Sequence, residues 1–235
     1  MKENSGYATL GFLYQNISKV TGVEWKTKTP FASIRRIVQD ERFFFKVKPG
    51  LWALKSFRKK LPFDVLSMQQ KISTPKQEEF NHTYYQGLLV EVGNLKKYQT
   101  FIPHQDKNKN FLNKKLGDIT LIKEFYKFGY DHIIRKAQTV DVSWFNSRKM
   151  PSKLFEIEHS TDIQNSLLKF VELQDFYVDF FIVADDMRKK EYNYKITLNA
   201  FTSIQKRIKF LSYEQLSEWH TKTYEITSLE NKLSI

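Results

Sequence analysis

Residues 139–161 read TVDVSWFNSRKMPSKLFEIEHST, and the reading of this stretch decides the fold. Two apolar runs, Val140–Phe145 and Leu154–Ile157, flank a polar segment that contains Pro151. Both runs are β-branched and aromatic and bounded by turn formers, so they are expected to form buried strands in a hairpin-like pair. Asp141 sits on the first run, and Glu156 and Glu158 on the second. Side chains alternate along a strand, so Glu156 and Glu158 point the same way. Carboxylates are rarely buried unless paired or bound to a cation, and three of them in paired strands point to a divalent-metal site. A lone Glu-x-Glu on a strand is usually an exposed edge. Here Leu154, Phe155 and Ile157 surround the acids, and an edge is disfavoured.

Working outward, the chain is 235 residues long, enough for one large or two small domains with real cores. Its 20 Phe, 12 Tyr and 4 Trp argue for a folded protein and against disorder. No run of 18 apolar residues is present, so no membrane association is expected. The first residues, MKENSGYATLG, lack the apolar centre of a signal peptide. The absence of cysteine excludes disulfides and thiolate metal sites and suits a reducing cytoplasm. Lys, Asn, Ile, Phe and Tyr outweigh Ala and Gly, as in AT-rich bacterial genes. The expected location is a bacterial cytoplasm, with nucleoid association when DNA is bound.

Charge is unevenly spread. Residues 1–62 hold 13 Lys and Arg against 4 Asp and Glu, which accounts for +9 of the total +12. A basic third joined to a nearly neutral remainder is the electrostatic footprint of a nucleic-acid-binding module attached to another domain. A basic cluster alone is more often only a solvated face.

Within that third, Thr9 is positioned to cap a helix carrying Leu10, Leu13, Tyr14 and Ile17. Thr29-Pro30 is a second helix start, and PFASIRRIVQD places Phe31, Ile34, Ile37 and Val38 on one side. The opposite side offers Ser33, Arg35, Arg36 and Gln39, residue types suited to a major groove. RFFFKVK and LWALKSF then flank Pro49-Gly50 as a basic hairpin. Helix, helix and basic hairpin is the order of a winged helix-turn-helix. The segments WKTKTPFASIRRIVQ and RFFFKVKPGLWAL resemble the HARE-HTH family of winged-helix modules over about residues 7–57. The resemblance implies binding of double-stranded DNA. Lys26, Lys28, Ser33, Arg35, Arg36, Gln39, Lys46 and Lys48 are the candidate DNA contacts. The family has a full helix before the position of Tyr7, where this sequence has MKENSG.

The expected domains are a winged helix-turn-helix over 1–60, a linker or connecting helix over 61–78, and a catalytic domain over 79–235. EEFNHTYYQGLLVEVGNLKKY is expected to be helical to about Asn94, KYQTFIP to be a strand, and HQDKNKNFLNKK to be an exposed loop. His82 and His132 read as satisfied structural histidines, and Lys169 as an exposed surface lysine.

The order helix, strand, helices, Asp141 strand, Glu156 strand, helix, strand over 79–185 resembles the PD-(D/E)XK nuclease core. The fold class is therefore α+β or α/β, a mixed sheet flanked by helices behind the winged helix. In that superfamily an Asp opens the second strand, and an acid-x-Lys lies on the third. Asp141 and Glu156 match the acids, whereas Glu158 stands where lysine is usual, a departure with precedent in some type II restriction enzymes. The resemblance implies a restriction-type endonuclease that uses Mg²⁺ held by Asp141 and Glu156 and leaves 5′-phosphate and 3′-hydroxyl ends. Glu158 then orients water or adds a ligand, and Glu91 joins from the preceding helix. Expected partners are a second copy, giving a homodimer, and a cognate DNA methyltransferase. The competing readings are a non-catalytic DNA-binding regulator and a modification-dependent nuclease.

Overall fold

The structure is a computed structural model and describes residues 1–20, 22, 27, 29–67 and 74–233. The chain divides into two compact units, residues 1–77 with 217–235, and residues 78–216.

In the first unit, strand β1 (Tyr7–Thr9) runs directly into helix α1 (Leu10–Asn16). The turn from strand to helix is made by Thr9, whose side chain accepts the Phe12 N–H at 3.2 Å, an N-cap in the expected place. Helix α2 (Pro30–Val38) starts on Pro30, whose fixed φ is preorganised for the first helical position. Ile34 and Val38 are buried beneath it, while Ile37 is 48% exposed rather than buried with them. Strands β2 (Phe44–Lys48) and β3 (Leu51–Leu54) form an antiparallel hairpin. Its turn requires a positive φ at Gly50, +77°, which glycine adopts without strain. β3 also pairs with β1, giving the order β1-β3-β2. Helix α3 (Phe63–Ser67) follows.

Helix α4 (Pro75–Leu95) opens the second unit, although its first turn belongs to the first. It is followed by β4 (Gln99–Phe101), the short pair β5 (Asn110–Phe111) and β6 (Lys114–Lys115), and the short helices α5 (Leu116–Ile119) and α6 (Asp131–Ala137). Then come β7 (Val142–Phe145), β8 (Pro151–Glu158), α7 (Ile163–Val171), β9 (Asp179–Ala184), α8 (Lys189–Ile196), β10 (Ile208–Ser212) and α9 (Tyr213–Leu233), which belongs to the first unit from Ser217 onward. The sheet order is β10-β9-β8-β7-β4. β4, β7 and β8 pair antiparallel, whereas β8, β9 and β10 pair parallel, so the expected mixed sheet is observed.

The two faces of β8 set up the site. Leu154 points into a core that includes Phe145, Phe180 and Ile182 from the sheet and Ile163, Leu167 and Phe170 from α7. Strand alternation puts Glu156 and Glu158 on that same α7-facing side. Phe155 faces the other way and stacks against Trp144 and Phe181 at 4.7 and 4.8 Å between ring centroids. Helix α4 closes that second face, with Gly93 lying directly against Trp144 and Thr100. Apolar packing on both faces explains how a strand with two glutamates is interior from Leu154 to Glu158.

Candidate active site

Asp141 is the residue just before β7, and its carboxylate crosses to the neighbouring strand: Oδ2 accepts the Ile157 N–H at 2.7 Å. The antiparallel register that pairs Val142 with Phe155 puts Asp141 beside the C-terminal half of β8, where Glu156 and Glu158 lie. Both glutamates are 4% exposed.

Their partners come from α7. Its apolar stripe, Ile163, Leu167 and Phe170, fixes the helix on the sheet and sets Ser166 and Lys169 on the border of that stripe. Lys169 Nζ donates to Glu156 Oε1 at 2.7 Å and to the Thr139 carbonyl at 3.0 Å. Ser166 Oγ donates to Glu156 Oε2 at 3.0 Å and also bonds Glu158. Thr161 supplies a further hydroxyl to Glu158, and the Tyr213 hydroxyl donates to the Glu158 carbonyl at 3.3 Å. Lys169 differs from its expected place on the surface. Its side chain is only 22% exposed, and its ammonium reaches inward to the buried Glu156.

Electrostatics separate the three acids. Burial, reinforced by the Asp141 charge, pushes the Glu156 carboxyl up to about 8, against the opposing pull of Lys169 and Ser166. Burial also raises Glu158, opposed by the Ser166 and Thr161 hydroxyls. Burial acts in the same sense on Asp141, but the facing His82, the Ile157 amide and Lys169 outweigh it and hold that carboxyl below its ordinary value. One acid is therefore ionised at neutral pH, and its neighbour is poised to lose a proton when positive charge arrives.

Helix α4 meets the site through side chains different from the one expected. His82 Nε2 lies 3.1 Å from Asp141 Oδ2, and Gln86 Nε2 donates to the Asp141 carbonyl at 2.9 Å. Gln86 also donates to Asp106 at 2.9 Å. Asp106, placed by its sequence in a solvated turn, is in fact 2% exposed and paired with Lys109 at 2.8 Å. Glu91 sits on another side of α4 from Gln86. It lies five residues beyond Gln86, about 140° further round the helix, near Tyr84. Among the described residues, no three His, Asp or Glu side chains converge in an arrangement that holds a metal by itself. Asp141 and Glu156 instead offer an incomplete oxygen shell, with one acid raised by its neighbour's charge. Such a donor set suits Mg²⁺, which keeps several waters and takes one or two carboxylates plus substrate phosphate oxygens.

Of the residues considered for DNA contact, Arg36 on α2, Gln39 capping its C-terminal end and Lys46 on β2 are exposed, and Ser33 and Lys48 are half-buried. Ser33 Oγ is turned back to the Thr29 carbonyl at 3.3 Å. Arg35 is engaged within its own unit by an ion pair to Glu225 on α9. Lys26 and Lys28 lie outside the described residues.

A family model for the C-terminal domain of the type II restriction enzyme NmeDI matches residues 54–233. The type II restriction enzyme NmeDI of Neisseria meningitidis serogroup C is 26% identical over 99 residues, covering 40% of this chain and 28% of that protein. The match thus spans less than a third of the relative's length. No solved structure matches. No helix among the described residues is long and apolar enough to cross a membrane.

Proposed function

The chain belongs to the family of the type II restriction enzyme NmeDI C-terminal domain, and from that premise we propose that it is a Mg²⁺-dependent endonuclease of double-stranded DNA. The observation that carries this reading is the contact between Lys169 and Glu156. The strand motif has a glutamate where the PD-(D/E)XK pattern has lysine, and α7 supplies an ammonium to the same cluster from another element. That contact also favours an enzyme over a non-catalytic DNA-binding regulator, whose argument in the sequence was the missing lysine. The element order α4-β4-β7-β8-α7-β9 supports a PD-(D/E)XK-type core.

In this reading Asp141 and Glu156 hold the cation. Bound Mg²⁺ supplies charge neutralisation at the phosphate and a bound water of lowered pKa. The protein's own groups do the rest. Glu156 would have to be deprotonated to hold the cation, its proton passing to solvent, a coupling expected wherever a ligand must be deprotonated. Lys169, held between Glu156 and the Thr139 carbonyl, presents an ammonium to charge developing on the phosphoryl oxygens. Glu158, fixed by Ser166 and Thr161, orients water instead of abstracting a proton outright. The products are a 5′-phosphate and a 3′-hydroxyl.

Delivery of DNA falls to the basic first unit. Its order β1-α1-α2-β2-β3 supports a winged helix, with Arg36 and Gln39 on α2 and Lys46 on the hairpin as contacts. Cutting both strands calls for two active sites, hence a homodimer, and a cognate methyltransferase protects the host sequence. Digestion of methylated and unmethylated genomic DNA with Mg²⁺, followed by sequencing of the ends, tests the reading. Defined ends from unmethylated DNA support it. Cutting confined to methylated DNA identifies a modification-dependent nuclease, and no cutting of either refutes the enzyme.

A further inference from the structure

Asp141 is held from three directions, and two of them originate on α4. Ile157 N–H and His82 Nε2 both contact Oδ2, at 2.7 and 3.1 Å, while Gln86 grips the backbone carbonyl of the same residue at 2.9 Å. Among the described residues Oδ1 accepts no hydrogen bond. His82 is half-buried, yet its Nδ1 is wholly buried and has no hydrogen-bond partner among the described residues. A histidine retained for packing would be expected to satisfy both nitrogens. Among the described residues, the one hydrogen-bonding contact of the ring is to Asp141. Gln86 is anchored in turn by Asp106, which is buried and paired with Lys109, so the grip on Asp141 is backed by a second polar layer.

We propose that His82 is a positioning residue for the cation site: with the Ile157 amide it pins Oδ2 of Asp141, so that Oδ1 faces the bound metal. This rests on the reading of Asp141 as a metal-holding carboxylate. The physical argument is that a carboxylate free to rotate about χ2 loses conformational freedom when it takes a cation, whereas one already held by two donors on one oxygen does not. Removal of groups that orient a ligand in this way typically costs about 10–100-fold in metal affinity. His82 touches neither the scissile phosphate nor the cation in this account, so its loss shows first in metal affinity and only through it in rate.

The test uses the full chain without DNA, titrated with Mg²⁺ by calorimetry, and in parallel the dependence of plasmid cleavage on Mg²⁺ concentration. Variants are His82→Ala, His82→Gln, whose amide keeps a donor at similar reach, and Asp141→Asn, each with its thermal melt recorded. The expected result is 10–100-fold weaker Mg²⁺ binding by His82→Ala, a matching rise in half-activating Mg²⁺, near-parental rate at saturating Mg²⁺, and substantial rescue by His82→Gln. If His82→Ala fails to fold, the His82→Gln and Asp141→Asn titrations decide the matter, and His82→Gln must then bind far closer to the parent than Asp141→Asn does. Parental Mg²⁺ affinity in His82→Ala, with Asp141→Asn weakened, overturns the inference alone. So does a loss of maximal rate at unchanged affinity. Parental affinity in Asp141→Asn overturns the reading of the site, and the inference with it.

Discussion

Replacing Glu156 by Gln should remove a pH dependence of stability that is set by burying an acid beside another acid. In the folded, metal-free protein the Glu156 carboxyl titrates at about 8, raised by burial and by Asp141, against an ordinary value of 4.5. The folded state therefore binds the proton more tightly than the unfolded state. Its stabilising contribution is complete below pH 4.5 and is lost as pH rises through 8. Between pH 6 and pH 8 each unit removes about 1.4 kcal/mol, so the parent should lose about 3 kcal/mol between pH 6 and pH 9 through this group. Gln has no proton to lose, and the variant should lack that component. Lys169 holds the ionised carboxylate more strongly than the neutral acid, and that difference is already contained in the titration at about 8. The assay is urea unfolding in EDTA at pH 6, 7, 8 and 9, followed by circular dichroism. The gap between variant and parent should move in the variant's favour as pH rises. Parallel profiles for the two proteins would refute the argument that Glu156 is a desolvated acid beside a second acid.

Arg36→Ala is expected to weaken DNA binding across sequences and to lower the salt slope of log K by about 1, measured by fluorescence anisotropy over a salt series. Arg35→Ala should instead register mainly in the melt, at about 1 kcal/mol, because its guanidinium is engaged by Glu225. Gly93→Ala would place a Cβ 2.5 Å from Thr100 Cγ2 and 2.8 Å from the Trp144 ring, both side chains fully buried, and should destabilise the second unit by about 1–3 kcal/mol in denaturant unfolding.

The site was partly legible in the sequence because two of its determinants are local. Alternation along residues 154–158 puts Glu156 and Glu158 on one face whatever the rest of the chain does, and the apolar flanks place that strand inside. The helical stripe of α7 was equally readable. What was not readable was contact between elements. Lys169 looks like any lysine at the edge of a helix until the parallel β8–α7–β9 passage brings it over Glu156; its three-residue spacing from Ser166 was the available signal. Along α4, attention to acids selected Glu91, whereas the face turned to Asp141 carries His82 and Gln86, residue types that composition alone does not associate with a carboxylate cluster. Asp106 failed for a related reason: a turn sequence dense in Lys and Asn reads as solvated, yet it folds back on α4 and buries the acid against Gln86.

In the function proposed, the β7–β8 acids and the α7 lysine form one hydrolytic centre for DNA. The most direct measurement is conversion of supercoiled plasmid to nicked and linear forms with Mg²⁺, by the parent, Lys169→Ala and Asp141→Asn, with DNA binding measured on the same preparations. The parent should cut only when Mg²⁺ is present. Both variants should retain DNA binding, with cleavage lowered by at least about 100-fold, the scale of losing one preorganised charge-stabilising group. Cleavage by Lys169→Ala at the parental rate, or cleavage by the parent that persists in EDTA, would contradict it.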